Sequence, residues 1–162
     1  MDPDLPRQIK QLLEERNLPP RLLELEVTES VIMAGFEQVK DTLDELDRMG
    51  ISLSIDDFGT GYSSLSYLKR LPVGKLKIDR SFVIELPADA ESRAIAAAVV
   101  GLARGLDMRV IAEGVETPAQ AEFLRGAGCD EAQGFLYSKP LSPADFAARY
   151  VKGCSISEPA AA

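Results

Sequence analysis

Nine polar side chains stand where apolar runs of the sequence end: Glu26 and Glu29, Asp56 and Asp57, Lys77 and Asp79, Glu113 and Glu116, and Gln133. The 162-residue chain has no histidine, which removes Ser-His-Asp and Cys-His catalysis and histidine zinc sites. Chemistry here must run on carboxylates, lysine, amides or hydroxyls. Carboxylates that converge repel one another and raise their pKa values unless a cation neutralises them. Hard oxygen donors select Mg²⁺, Mn²⁺ or Ca²⁺. Two adjacent aspartates, one of them bridging, suit a metal pair ~3.5 to 4 Å apart that clamps attacking and leaving oxygens in phosphodiester cleavage. The residue types point to metal-assisted phosphoester hydrolysis.

Each signal has a plainer reading when taken alone. Asp56 to Gly61 suits a strand end with a turn. Its Asp-Phe-Gly comes without a kinase glycine loop or catalytic loop. Gly59-Thr60-Gly61 lacks the third glycine of a dinucleotide fingerprint and follows two acids that would repel a pyrophosphate. Glu29 suits a cap, Lys77 and Asp79 a surface ion pair, and Glu113 and Glu116 the positive end of a helix dipole. These readings do not explain why every strand carries such a group at the same end.

The elements that must position these residues can be read from periodicity. Leu5, Ile9, Leu12 and Leu13 recur at helical spacing until Asn17-Leu18-Pro19-Pro20. A strand over Leu22 to Val27 follows, then a helix marked by Phe36, Val39, Leu43 and Leu46 that ends at Gly50. Further strands are predicted at Ile51 to Ile55, Lys75 to Ile78, Met108 to Ala112 and Gln133 to Leu136. Helices are predicted at Leu65 to Lys69, through Ile95, Val99 and Leu102, from the capping box Thr117-Pro118-Ala119-Gln120, and from Ser142. Strict alternation of strand and helix predicts an α/β fold with a parallel sheet, whose strand ends gather on one rim.

Composition sets the outer bounds. The chain is 46% hydrophobic and 27% charged, the range of a globular domain that buries a core. A net charge of −8 argues against a protein that tracks DNA by neutralising phosphates. No apolar run reaches the ~20 residues of a membrane span, and the start lacks a signal-peptide core, so a cytoplasmic protein is expected. Cys129 and Cys154 have no ligand-like spacing and are read as reduced thiols. Residues 1–152 are expected to form one unit and 153–162 a flexible tail.

The segments LELEVTES at 23–30, IDDFGTGYSSLSYLKRLP at 55–72, LKIDRSFV at 76–83, VIAEGVET at 110–117 and QGFLYSKPLSPADF at 133–146 resemble the EAL family of cyclic-di-GMP phosphodiesterases. The resemblance implies a modified TIM-like (βα) barrel that uses two Mg²⁺ or Mn²⁺ ions to linearise cyclic-di-GMP to pGpG. By it, Glu26, Asp56, Asp57 and Glu113 look like metal ligands, with Asp56 bridging and Glu113 also the proposed general base. Lys77 would position or activate the attacking water, with Asp79, Glu116 and Gln133 supporting water and substrate. Glu29 would steady the loop Phe58 to Ser64, near which family members dimerise.

The Glu-Ala-Leu segment that names the family, and a downstream metal-binding asparagine, are absent from these residues. Five predicted strands against eight in a barrel of ~250 residues leave ~90 residues to find. An incomplete barrel is therefore expected, the C-terminal portion of an EAL domain, weak or inactive alone. Open edges and apolar faces would favour a homodimer or strand-exchanged oligomer, and the parent protein would carry a sensory or diguanylate-cyclase-type domain. The alternative is a catalytically deficient module that binds cyclic-di-GMP or a protein partner.

Overall fold

The computed structural model describes Asp2, residues 4–59 and residues 65–151. Helix α1 (Leu5–Glu15) and a 3-10 turn (Pro20–Leu22) precede strand β1 (Glu24–Thr28). Then come α2 (Glu29–Ala34), α3 (Phe36–Arg48), β2 (Ser52–Phe58), α4 (Leu65–Leu68), β3 (Lys75–Ile78) and α5 (Arg80–Val83). The remainder is α6 (Ala90–Gly105), β4 (Arg109–Ala112), α7 (Pro118–Ala127), β5 (Glu131–Ala132), α8 (Pro143–Phe146) and a π-helical turn (Ala147–Val151).

The five strands pair in sequence order, every pair parallel. Alternate residues of a strand face opposite sides, and the register stacks like with like. On one face Val27, Leu53, Ile55, Leu76, Ile78, Val110 and Ala112 are buried. They share a core with Val39, Leu43 and Leu46 of α3 and Ala96, Val99, Val100 and Ala103 of α6. The helical periodicities of the sequence therefore mark the helix faces turned to the sheet. At ~25 cal/mol per Å² of apolar surface removed from water, this layer is the main stabilising element.

The other face carries Glu24 and Glu26 on β1, Ser52 and Ser54 on β2, Lys75 and Lys77 on β3, and Arg109 and Ile111 on β4, with Glu131 on β5, as the pairing register places them. This corrects the expectation that an incomplete barrel would expose apolar faces. The face that helices leave uncovered is almost wholly polar, so one of the two arguments for an oligomer falls away. The edges of β1 and β5 remain.

Two short helices, α2 and α5, were not read from the sequence; each follows its strand with at most one residue between. The side chain of Asp79 caps α5 by accepting from the Ser81 N–H. The capping box at Thr117 forms as predicted. Strand five is displaced: it lies at Glu131–Ala132, not at Gln133 to Leu136. Gln133 and Leu136 instead bind the β4–α7 connection, through Val115 N–H to Gln133 O at 3.0 Å and Leu136 N–H to Val115 O at 3.0 Å. Gly134 crosses so close that a Cβ there would lie 2.2 Å from Val115 O. Only glycine fits that crossing, and the apolar run beyond it reads as strand while serving as a turn. The predicted tail and most of the loop after Asp57 lie outside the described residues.

Candidate active site

Lys77 ends the uncovered face of β3 with 5% of its side chain exposed. Its Nζ lies 2.6 Å from Glu26 Oε2, 2.6 Å from Glu113 Oε1 and 3.1 Å from Asp56 Oδ1. Those partners come from β1, from β2 and from the residue after β4. Gln133, the residue after β5, donates its Nε2–H to Glu113 Oε1 at 2.9 Å. All five strands thus deliver a group to one point. Burial alone would lower the Lys77 pKa, but hydrogen bonds to Glu113, Glu26 and Asp56 outweigh it and hold the ammonium well above the ordinary lysine range.

The paired aspartates owe their placement to a β-bulge. Between the pairs Ile55↔Leu76 and Phe58↔Ile78, β2 spends one more residue than β3, and Asp57 takes a φ of 55°. A bulge inserts one residue and re-aims its side chain, so both Asp56 and Asp57 remain at the strand end beside Lys77. The Asp57 N–H donates to Asp56 Oδ1 at 3.0 Å. Burial and then the charges of Asp56 and Asp79 push the Asp57 carboxyl above its usual pKa, against the pull of Lys77.

The other expected residues sit around this point. Burial would raise the Asp79 pKa, but bonds from the Ser81 hydroxyl and the N–H groups of Ser81 and Arg80 hold it below the usual range. Glu116 is at the surface, paired with Arg80 at 2.8 Å. Glu29 is 4% exposed; its Oε2 accepts the Gly59 N–H at 3.3 Å, and its buried Oε1 has no hydrogen-bond partner among the described residues. That contact reaches the start of the Phe58 to Ser64 loop, of which residues 60–64 lie outside the described residues. A cleft of about 510 Å³ opens beside Glu113 and Gln133, bounded by Arg80, Glu116, Phe135 and Lys139. A roomier groove of about 1000 Å³ runs along α1, lined by Leu13, Leu18 and Met49, and holds none of these groups.

Sequence reasoning missed Arg80 and a second polar layer one step down the strands: Glu24, Lys75, Arg109 and Glu131. The signal was the spacing of two between Glu24 and Glu26, Lys75 and Lys77, and Glu131 and Gln133, which places each pair on one face of a strand. Cys129 is a free thiol bonded to the carbonyls of Val110 and Glu131, and burial pushes it up to about 11. Cys154 lies outside the described residues.

The donor set can be tested against a divalent cation. Among the described residues no three acidic or thiol side chains form a ready cage, because Glu26, Asp56 and Glu113 turn to the Lys77 ammonium. Three carboxylates nonetheless meet around one positive charge, with Asp57 alongside and neither imidazole nor thiolate near. That oxygen-only chemistry fits a hard cation.

A family model described as "EAL domain" matches residues 1–140. The chain belongs to the EAL domain family. Among curated relatives, the EAL chain is 49% identical over 134 residues to the cyclic di-GMP phosphodiesterase NbdA of Pseudomonas aeruginosa, covering 83% of this chain and 17% of NbdA. Among solved structures, the PaMucR phosphodiesterase in its c-di-GMP complex superposes with a TM-score of 0.86 at 47% identity, over 89% of this chain and 58% of that one. BlrP1 of Klebsiella pneumoniae, in a manganese and cyclic-di-GMP complex, superposes with a TM-score of 0.79 at 37% identity, over 86% of this chain and 36% of that one. The same protein also forms a calcium complex with the nucleotide. The EAL chain spans about a fifth of the length of the curated relatives it matches. No helix among its described residues is long and apolar enough to cross a membrane.

Proposed function

We propose that this EAL chain is part of a phosphodiesterase domain that opens cyclic-di-GMP to linear pGpG with two divalent cations, Mg²⁺ or Mn²⁺. The observation that carries the reading is the meeting of Glu26, Asp56 and Glu113 on Lys77. The phosphodiesterase relatives and the manganese and nucleotide complexes of BlrP1 support it.

In this reading Glu26, Asp56, Asp57 and Glu113 would hold the cations. Once bound, the cations supply positive charge that activates water and screens the phosphodiester oxygens. Glu113 accepts the proton of the attacking water, and Gln133 fixes the carboxylate's orientation through its 2.9 Å bond. Lys77 turns from its carboxylates to the water and the phosphate, keeping its charge through the physiological range. Asp79 and Glu116 order the surrounding polar groups, and Glu29 steadies the loop after Asp57 through Gly59. Four carboxylates are few donors for two six-coordinate cations, and β1 and β5 have open edges. A polypeptide of these residues alone is therefore a weak catalyst. It is completed by further strands of a longer cytoplasmic protein with a sensory or diguanylate-cyclase-type domain, or by pairing with a second copy.

The test is incubation of the purified protein with cyclic-di-GMP and Mn²⁺, followed by chromatography for pGpG. Slow, Mn²⁺-dependent product formation that Glu113→Gln abolishes is expected. Binding of the nucleotide in calorimetry without any product would replace the enzyme by a binding module, and a flat titration would remove both readings.

A further inference from the structure

The polar face of the sheet has two tiers, and only the upper one belongs to the proposed site. In the lower tier Lys75 Nζ lies 3.0 Å from Glu24 Oε2 and 3.1 Å from Glu131 Oε2. The second oxygen of Glu131, Oε1, accepts from Arg109 Nη1 at 2.9 Å. Lys75 is on the central strand, whereas Glu24 and Glu131 are on the two edge strands. One ammonium with 10% of its side chain exposed therefore ties the two edges of the sheet to its middle, across four interstrand gaps of ~4.8 Å each.

Three members of the lower tier lie directly below a member of the upper tier, while Arg109 lies below Ile111. Glu24 precedes Glu26 by two residues, Lys75 precedes Lys77 by two and Glu131 precedes Gln133 by two, the repeat of one strand face. Strand β5 has only two residues, paired as Ile111↔Glu131 and Ala112↔Ala132 and flanked by the backbone bonds Asp130 N–H to Val110 O and Gln133 N–H to Ala112 O; the side-chain ties of Glu131 are what join it to the middle of the sheet beyond β4. Gln133, which orients Glu113, follows at once. The two tiers also differ in what they can give up. Lys77 would have to share its carboxylates with any cation they bound. Lys75 lies a layer below the rim and keeps its partners.

We infer that Lys75, with Glu24, Glu131 and Arg109, is a positioning cluster that sets the curvature of the sheet and so brings Glu26, Glu113 and Gln133 to Lys77. The inference rests on the proposed site only in what the rim is for. Its test needs neither nucleotide nor metal, so a chain without phosphodiesterase activity still decides it.

The measurement is the side-chain ammonium resonance of Lys77 and its hydrogen exchange in ¹⁵N-lysine-labelled protein. The wild type should show a protected Lys77 signal. In Lys75→Met that signal should be lost while the amides of α6 and α7 keep their wild-type positions, and Lys75→Arg should restore it. A folded Lys75→Met with Lys77 unchanged, a Lys75→Arg no better than Lys75→Met, or a wild type whose Lys77 exchanges freely would each overturn the inference. Should Lys75→Met not fold, Glu131→Gln, which leaves the Glu24 tie in place, is expected to shift the Gln133 side-chain amide signals. Unshifted signals there would also sink the idea.

Discussion

Replacing Lys77 by methionine keeps most of the volume at the centre of the rim and removes its positive charge. Three carboxylates, Glu26, Asp56 and Glu113, are then left around an apolar side chain. Their exposures of 48%, 23% and 19% decide the cost. The Glu26 tie is half solvated and contributes at most ~1 kcal/mol. Asp56 and Glu113 are shielded enough to approach the 3–5 kcal/mol typical when one partner of a buried pair is removed, and the lower figure is apt because neither is fully enclosed. Lys77→Met should therefore destabilise the protein by about 3 kcal/mol at pH 7, or ~6 to 12 °C in Tm for a domain of this size. Urea unfolding followed by circular dichroism gives the value, with an unchanged slope showing that the folded and unfolded states are still comparable. If uncompensated charge is the cause, Lys77→Met combined with Glu113→Gln should recover ~1 to 2 kcal/mol of the loss, since the amide can still accept from Gln133. A Lys77→Met variant within ~0.5 kcal/mol of wild type would refute the reasoning. So would a double variant less stable than the single one.

Three further outcomes follow from the same geometry. The Lys75 and Lys77 pKa values are both raised on folding, so their stabilisation is complete below the unfolded lysine value of ~10.4 and is lost as pH rises through the folded values. The stability gap between wild type and Lys75→Met should stay constant from pH 7 to ~10 and close only above it; closure by pH 9 in urea titrations would contradict the raised values. Glu29→Gln should cost less than ~1 kcal/mol, because it keeps an acceptor for the Gly59 N–H. Glu29→Ala should cost ~1 to 3 kcal/mol, and equal losses in the two variants by thermal unfolding would show that both carboxylate oxygens are needed. Gly134→Ala should destabilise by about 3 kcal/mol, since its Cβ would meet the Val115 backbone; a wild-type Tm would mean that the Val115 and Gln133 segments move apart freely.

The strand–helix alternation, the parallel sheet and the sharing of one rim by five strand ends were legible because each rests on a local pattern. Apolar residues at helical spacing in Phe36–Arg48 and the strict Lys-Leu-Lys-Ile alternation at Lys75–Ile78 leave few alternatives for the backbone. Where local pattern is ambiguous, the reading failed. Gln133 to Leu136 has the composition of a strand, but the close crossing of Gly134 over Val115 turns it into a bend, and β5 forms two residues earlier from the less apolar Glu131–Ala132. Helices α2 and α5 begin within two residues of a strand end, so their letters read as a continuation of that end.

The candidate site divides in the same way. Residue types alone determined that chemistry here must use carboxylates, an amide and a lysine, because the chain has no histidine. They also brought Glu26, Asp56, Asp57, Lys77, Glu113 and Gln133 forward as a group, since a strand's end can be located from its own letters. Only the tertiary structure decided that Lys77 is the hub of three carboxylates, that a bulge keeps both aspartates at the rim, and that a second tier around Lys75 underlies the first. Those are relations between strands dozens of residues apart, set by register and sheet curvature. A charged residue in a strand looks the same in sequence whether it faces water, a partner or the middle of a sheet, and pairing across strands is what separates these cases.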